Sequence, residues 1–167
     1  MKSQKPKRRL VHKPPAVKFP GGYVQIINPR HPIKGVWSDV LYLKPKCELP
    51  AHIHRQTSSL LICVSGNGEI CVDGKRTRLR KGVCAFIPKG SEHFVKAGRT
   101  SLLTCLSINE GIIKPGTGTD IRFTKREPAS AAGTWPKFIT DCAKAAAGFQ
   151  QKLKRSQRHW NVFTLDI

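Results

Sequence analysis

Acidic residues are scarce in this chain of 167 residues, where 10 Asp and Glu stand against 30 Lys and Arg for a formal net charge of +20. The expected partners are therefore polyanions or anionic small molecules. Long apolar runs are lacking, which excludes a membrane-spanning helix and leaves no membrane role to expect. No C-x-x-C pair occurs among the cysteines at 47, 63, 71, 84, 105 and 142, so neither a zinc ribbon nor a dithiol redox motif is present. Met1 to Pro15 is basic and polar where a secretory leader would be apolar. Cys63, Cys71, Cys84 and Cys105 sit in apolar runs, where reduced cysteine acts as a small core residue, and a cytoplasmic location is expected. Cys63 and Cys71 can face each other across a hairpin, the one exception to keep open. There is no internal repeat and no helix-turn-helix pattern.

What is present falls into three stretches. Residues 1–20 hold Pro6, Pro14, Pro15 and Pro20, and seven cations lie within residues 1–19. This composition has too little apolar surface to repay ordering and reads as a flexible basic arm. Its Lys5-Pro6-Lys7-Arg8-Arg9 run is suited to phosphates, so nucleic acid is a conceivable partner, but no aromatic or helical reading element accompanies it. A solvated extension is the favoured reading.

Residues 21–125 change in texture, with short runs of Val, Ile, Leu and Phe separated by turn residues. Gly66-Asn67-Gly68 and Asp73-Gly74 predict tight turns that fold the strands around them into a three-stranded meander. Lys81-Gly82 and Pro88-Lys89-Gly90 break the chain again. Many short antiparallel strands in so few residues call for closure into a barrel or jelly roll, an all-β domain.

Residues 126–167 form a C-terminal extension with a helix over about 135–155. Thr134 caps it, and Trp135, Phe138, Ile139, Cys142, Ala146, Phe149 and Leu153 recur at three- and four-residue spacing. Such a stripe packs on the outer sheet of its own domain or on a second subunit. Lys137, Lys144 and Lys152 mark the opposite, solvated face.

The chemical signal begins at Pro50-Ala51-His52-Ile53-His54. On a strand, residues i and i+2 point to the same face, so both imidazoles can bind one metal ion. A second segment, Gly82 to His93, supplies a third histidine just after a Pro-x-Gly turn. Together the two segments resemble the two motifs of the cupin superfamily: a glycine, H-x-H, a glutamate and a glycine, then G-x5-P-x-G-x2-H-x3-N. His52, His54 and Gly66 match the first, and Gly82, Pro88, Gly90 and His93 match the second. The resemblance spans Val36 to Ile108 and includes the inter-motif stretch Ser65 to Gly74.

The resemblance implies a double-stranded β-helix barrel with a C-terminal amphipathic helix, a pocket for a metal or small ligand, and pairing into a homodimer. It implies His52, His54 and His93 as metal ligands. Ser59 stands where the family's metal-binding glutamate falls, and a neutral hydroxyl is a poor ligand, which leaves Ser59 beside the ligand shell. Lys46, Val83 and Ala97 are further departures from the motifs. Three-histidine cupins include thiol dioxygenases, gentisate-type ring-cleaving dioxygenases and a β-diketone-cleaving dioxygenase. A dioxygenase-like oxidoreductase using Fe(II) is the implied activity, with Mn, Ni or Zn as other divalent ions such a site takes. An all-neutral ligand set leaves the ion more electrophilic and suits an anionic substrate.

Two other readings stand beside this one. A barrel can keep its histidines as hydrogen-bonded core groups and serve as a non-catalytic, metal-free binding or regulatory cupin. A basic arm and helix can also form one positive surface for a polyanion. Phe86 or its neighbours are expected to line the cavity with Leu61 and Cys63. Any inward arginine of Lys75 to Lys81 would clamp a carboxylate or phosphate, though such a run is more often an outer strand. His12, His31 and His159 match no motif and are expected on the surface.

Overall fold

A computed structural model describes residues 10–28, 35–111, 120–124, 134–155 and 161–163. Its strands are β1 (Leu10–His12), β2 (Ala16–Phe19), β3 (Gly22–Asn28), β4 (Val36–Leu43), β5 (Glu48–His54), β6 (Thr57–Ser65) and β7 (Asn67–Val72). They continue with β8 (Lys75–Arg80), β9 (Cys84–Ile87), β10 (His93–Ala97), β11 (Leu103–Gly111), β12 (Ile121–Phe123) and β13 (Asn161–Phe163). One helix, α1 (Thr134–Arg155), lies between β12 and β13. Two antiparallel sheets face each other, a five-stranded one in the order β12-β5-β10-β7-β8 and a six-stranded one in the order β2-β3-β4-β11-β6-β9. A separate parallel pair joins β1 to β13.

Alternation along the strands builds the core. In β6, Thr57, Ser59, Leu61 and Cys63 are buried while Leu60 is exposed, so alternate side chains enter the space between the sheets. Leu43, Leu79 and Leu103 are fully enclosed there. Each such leucine contributes about 2–3 kcal/mol of transfer free energy.

Three expectations change. Residues 16–19, assigned to the arm, form an edge strand of the larger sheet, with Val17 and Phe19 in the core. Two apolar residues at alternate positions suffice once a neighbouring strand offers its edge. The meander also fails at its first turn, because β6 and β7 belong to different sheets. Gly66, at φ 78°, carries the chain across with its Cα so close to the Leu102 carbonyl that no Cβ fits. Only the second turn makes a hairpin, β7–β8, through Asp73-Gly74. Finally, Cys63 and Cys71 do not face each other. Cys63 lies opposite Cys105, Cys71 lies opposite Arg76 and Phe94, and all six cysteines are free.

The helix packs on its own chain, as one of the two expected arrangements, but through residues of the barrel interior and not the outer sheet. Trp135 contacts Phe19 of β2 at 5.5 Å between ring centroids and Phe123 of β12 at 4.9 Å. These strands are the edges of the two sheets, so Trp135 bridges the open side of the sandwich. Phe138 meets Phe19 at 5.1 Å in an edge-on contact. Lys137 pairs with Asp141 on the exposed face. Among the described residues, no helix is long and apolar enough to cross a membrane. Residues 1–9, His31 and His159 lie outside the described residues, as do the side chains of His12 and Lys152.

Candidate metal centre

Three buried histidines converge between the sheets. His52 and His54 project from β5 on one face, and the β5–β10 register sets His93 directly opposite His52. The turn before β10 is anchored to the same strand, since the Gly90 N–H donates to the His54 carbonyl at 2.8 Å and the Ser91 N–H to the Pro88 carbonyl at 3.1 Å. Gly90 takes φ 83°, the left-handed conformation that favours glycine in this turn. Ring centroids are 4.2 Å apart for His52 and His93, 5.3 Å for His52 and His54, and 5.2 Å for His54 and His93. One ring nitrogen from each lies within 4.8 Å of the others.

Backbone carbonyls fix which nitrogen two of the rings offer. His52 Nδ1 is 2.6 Å from the Pro50 carbonyl and His93 Nδ1 is 3.1 Å from the Ser91 carbonyl. A carbonyl only accepts, so both Nδ1 atoms carry the proton and both Nε2 atoms keep a bare lone pair. His54 Nδ1 lies 3.5 Å from the Asp120 carboxylate and has no closer partner. Two of the three rings are therefore held by hydrogen bonds at Nδ1, and the third has a carboxylate beside that edge.

Electrostatics favour the neutral form. Burial and the two neighbouring histidines hold His52 well below the usual imidazole range, against a smaller opposing effect of the Pro50 hydrogen bond. Burial brings His93 down to about 4. A neutral imidazole is the form that ligates a metal.

Two carboxylates stand behind this cluster, and neither was apparent in the sequence. Asp120 accepts from the Gln56 N–H at 2.5 Å and from the Thr57 hydroxyl. Burial pushes its carboxyl up, but the nearby His54 and the hydrogen bonds from Thr57 and Gln56 outweigh this and hold it below its ordinary value. Asp39 of β4 accepts from Asn109 Nδ2 at 3.0 Å, and burial raises its carboxyl to about 6 against the attraction of His54. The alternation of Val36–Leu43 does put Asp39 on the face of Leu41 and Leu43, the one local signal available. Asp120 leaves no such signal, since it reaches Gln56 and Thr57 from a distant part of the chain.

Ser59 is buried on the inner face, where its hydroxyl donates to Asn109 Oδ1 at 2.5 Å. It is thus the start of a chain, Ser59 to Asn109 to Asp39, that ends beside His54. Phe86 does not line the cavity. It points outward from β9 and is 65% exposed, because its alternate neighbours Ala85 and Ile87 take the inward positions. Arg76, Arg78 and Arg80 are exposed as well, so no arginine of β8 enters the cavity. Phe123, 5.6 Å from the His52 ring, and Trp135 behind it form the wall on the helix side.

Residues 40–109, which hold the three histidines and the turns that position them, match the sequence profile of the cupin domain. The barrel is a cupin. An uncharacterized protein of Aquifex aeolicus is 37% identical over 59 residues, 35% of this chain and 46% of that protein, so the match spans less than half of the relative. Among solved structures, the capsular polysaccharide assembling protein CapF of Staphylococcus aureus superposes with a TM-score of 0.59 and 17% identity, covering 68% of this chain and 34% of CapF. A predicted oxalate decarboxylase of Thermotoga maritima gives 0.52 and 17%, covering 60% of this chain and 93% of that one. At these identities the two structures establish the shared cupin fold alone.

Proposed function

We propose that this cupin binds one divalent metal ion through Nε2 of His52, His54 and His93, and uses it on an anionic small molecule in dioxygenase-type chemistry. The observation that carries the reading is the convergence of three buried histidines, two of them held at Nδ1 by backbone carbonyls. Inside the barrel one ring nitrogen of each histidine lies within 4.8 Å of the others, so three imidazole lone pairs converge on one small space. A cation is the partner those lone pairs fit.

When bound, the ion supplies a Lewis acid whose charge no protein ligand reduces and, as Fe(II), a redox centre for dioxygen. The chain's own residues do the rest. Asp120, pinned by Gln56 and Thr57, orients His54. The Pro50 and Ser91 carbonyls orient the other two rings. Phe123 and Trp135 keep water from the helix side. Ser59, in place of a carboxylate, leaves the site without a fixed negative ligand, so an anionic substrate can supply that charge.

Anaerobic loading with Fe(II), followed by oxygen uptake in the presence of thiol carboxylates, dihydroxybenzoates and β-diketones, tests this. Uptake that needs both Fe(II) and one substrate class supports the proposal. Tight metal binding with no uptake across the panel removes the dioxygenase part and leaves a metal-binding cupin.

A further inference from the structure

Two hydrogen-bonded lines run from the inner face of β6 towards one histidine. Thr57 and Ser59 share that face, both buried. From Thr57 the first line passes through Asp120 to the Nδ1 edge of His54. From Ser59 the second passes through Asn109, its cross-strand neighbour on β11, to Asp39 of β4, whose carboxyl feels the attraction of His54. Both lines close on His54, so the Ser59 hydroxyl belongs to the cavity wall beside the histidine cluster.

Valence gives the second line a direction. A carboxylate only accepts, so at Asp39 the donor is Asn109 Nδ2, at 3.0 Å. The other end of that amide is a carbonyl oxygen, which also only accepts. The proton between Asn109 and Ser59 is therefore the serine's, donated to Oδ1 at 2.5 Å. Hydrogen bonds in series polarise one another, and a carboxylate at the far end strengthens them. A hydroxyl has one proton, and that of Ser59 is committed. What remains on its Oγ is acceptor capacity, and no donor among the described residues meets it. His52 and His93 do not, because their protons are on Nδ1.

We propose, building on the metal reading above, that Ser59 Oγ is an oriented acceptor for the ligand of the metal centre, and that the site selects an anion bearing an O–H or N–H donor next to its metal-binding oxygen. Asn109 and Asp39 are positioning residues, which act by turning the Ser59 proton away from the ligand. A freely turning hydroxyl serves donors and acceptors alike and discriminates little. One locked as an acceptor sets its lone pairs against those of an ether oxygen, so an O-alkylated analogue meets repulsion where the parent finds a hydrogen bond. Burial sharpens the choice. Ser59 is 3% and Asn109 1% exposed, which leaves water little room to stand in for a missing donor.

Titration of the Co(II)-loaded full chain with glycolate and with methoxyacetate near neutral pH, followed by the visible absorption of the metal, tests the proposal. The two probes share a carboxylate and an α-oxygen, and only glycolate carries the O–H. The wild type is expected to bind glycolate about tenfold or more tightly than methoxyacetate. Ser59→Ala should bring that ratio to within about threefold of unity, and Asn109→Leu, which frees the Ser59 proton, should lower it as well, with circular dichroism confirming that each variant is folded. Equal binding of the two probes by the wild type, or a preference that Ser59→Ala leaves intact, overturns the proposal while the metal site stands. Loss of Co(II) uptake in folded Ser59→Ala makes Ser59 a metal ligand and overturns its acceptor role. A wild type that takes up no Co(II) overturns the metal reading and this assignment together.

Discussion

His54 Nδ1 stands 3.5 Å from Oδ2 of Asp120, a carboxylate that reaches the histidine cluster from just before β12. This contact sets a carboxylate beside Nδ1 of His54, the atom that on His52 and His93 is hydrogen-bonded to the Pro50 and Ser91 carbonyls. A carboxylate behind a ligating imidazole fixes its tautomer and raises its basicity.

Asp120→Asn is therefore expected to weaken metal binding by about 10- to 100-fold while the barrel stays folded. Competition with a coloured chelator measures this for Co(II) or Zn(II). An affinity within about threefold of the wild type would deny Asp120 its orienting role.

The pH dependence of the metal-free protein follows from two depressed histidines and one raised carboxyl. His93, with an ordinary value of 6.5 and a folded value of about 4, takes up its proton in the unfolded chain first. Its contribution is fully present above pH 6.5 and is lost as pH falls towards 4, about 3 kcal/mol in all. His52 acts in the same direction. Asp39, raised from 3.8 to about 6, acts oppositely, and its contribution is present at low pH and lost as pH rises through 6. His93 and Asp39 nearly offset each other, so His52 sets the sign: urea unfolding should show lower stability at pH 5 than at pH 7. Asp39→Asn should steepen the fall. Equal stability at both pH values would contradict this assignment of the buried protons.

Trp135→Ala removes the side chain that touches both sheet edges, Phe19 and Phe123. The loss should be about 3–5 kcal/mol by urea unfolding, as for other buried aromatic truncations. A change below about 1 kcal/mol would show that the helix does not brace the barrel.

Much of this is legible in the sequence, because strand alternation is local. It put His52 and His54 on one face and Ser59 with Leu61 and Cys63, and the Pro-x-Gly turn announced His93. The helical stripe from Trp135 to Phe149 was equally plain. Sheet membership was not, since Gly66 can end a hairpin or carry a strand into the facing sheet, and only the Leu102 carbonyl against it decides. β2 was hidden because its sequence becomes a strand only when β3 offers an edge. Phe86 is as apolar as a cavity residue, and the register with Leu60 is what turns it outward. Asp120 reaches Gln56 across 64 positions of the chain, and no periodicity reports such a contact.

One divalent ion held by Nε2 of His52, His54 and His93 is what the proposed function requires. Elemental analysis of protein purified without added metal or chelator tests it most directly, with His54→Ala alongside. Close to one Fe, Mn, Ni or Zn per chain is expected in the wild type, with loss of most of it in the folded variant. A metal-free wild type that also takes up no Fe(II) anaerobically, or a variant that keeps its full metal content, would contradict it.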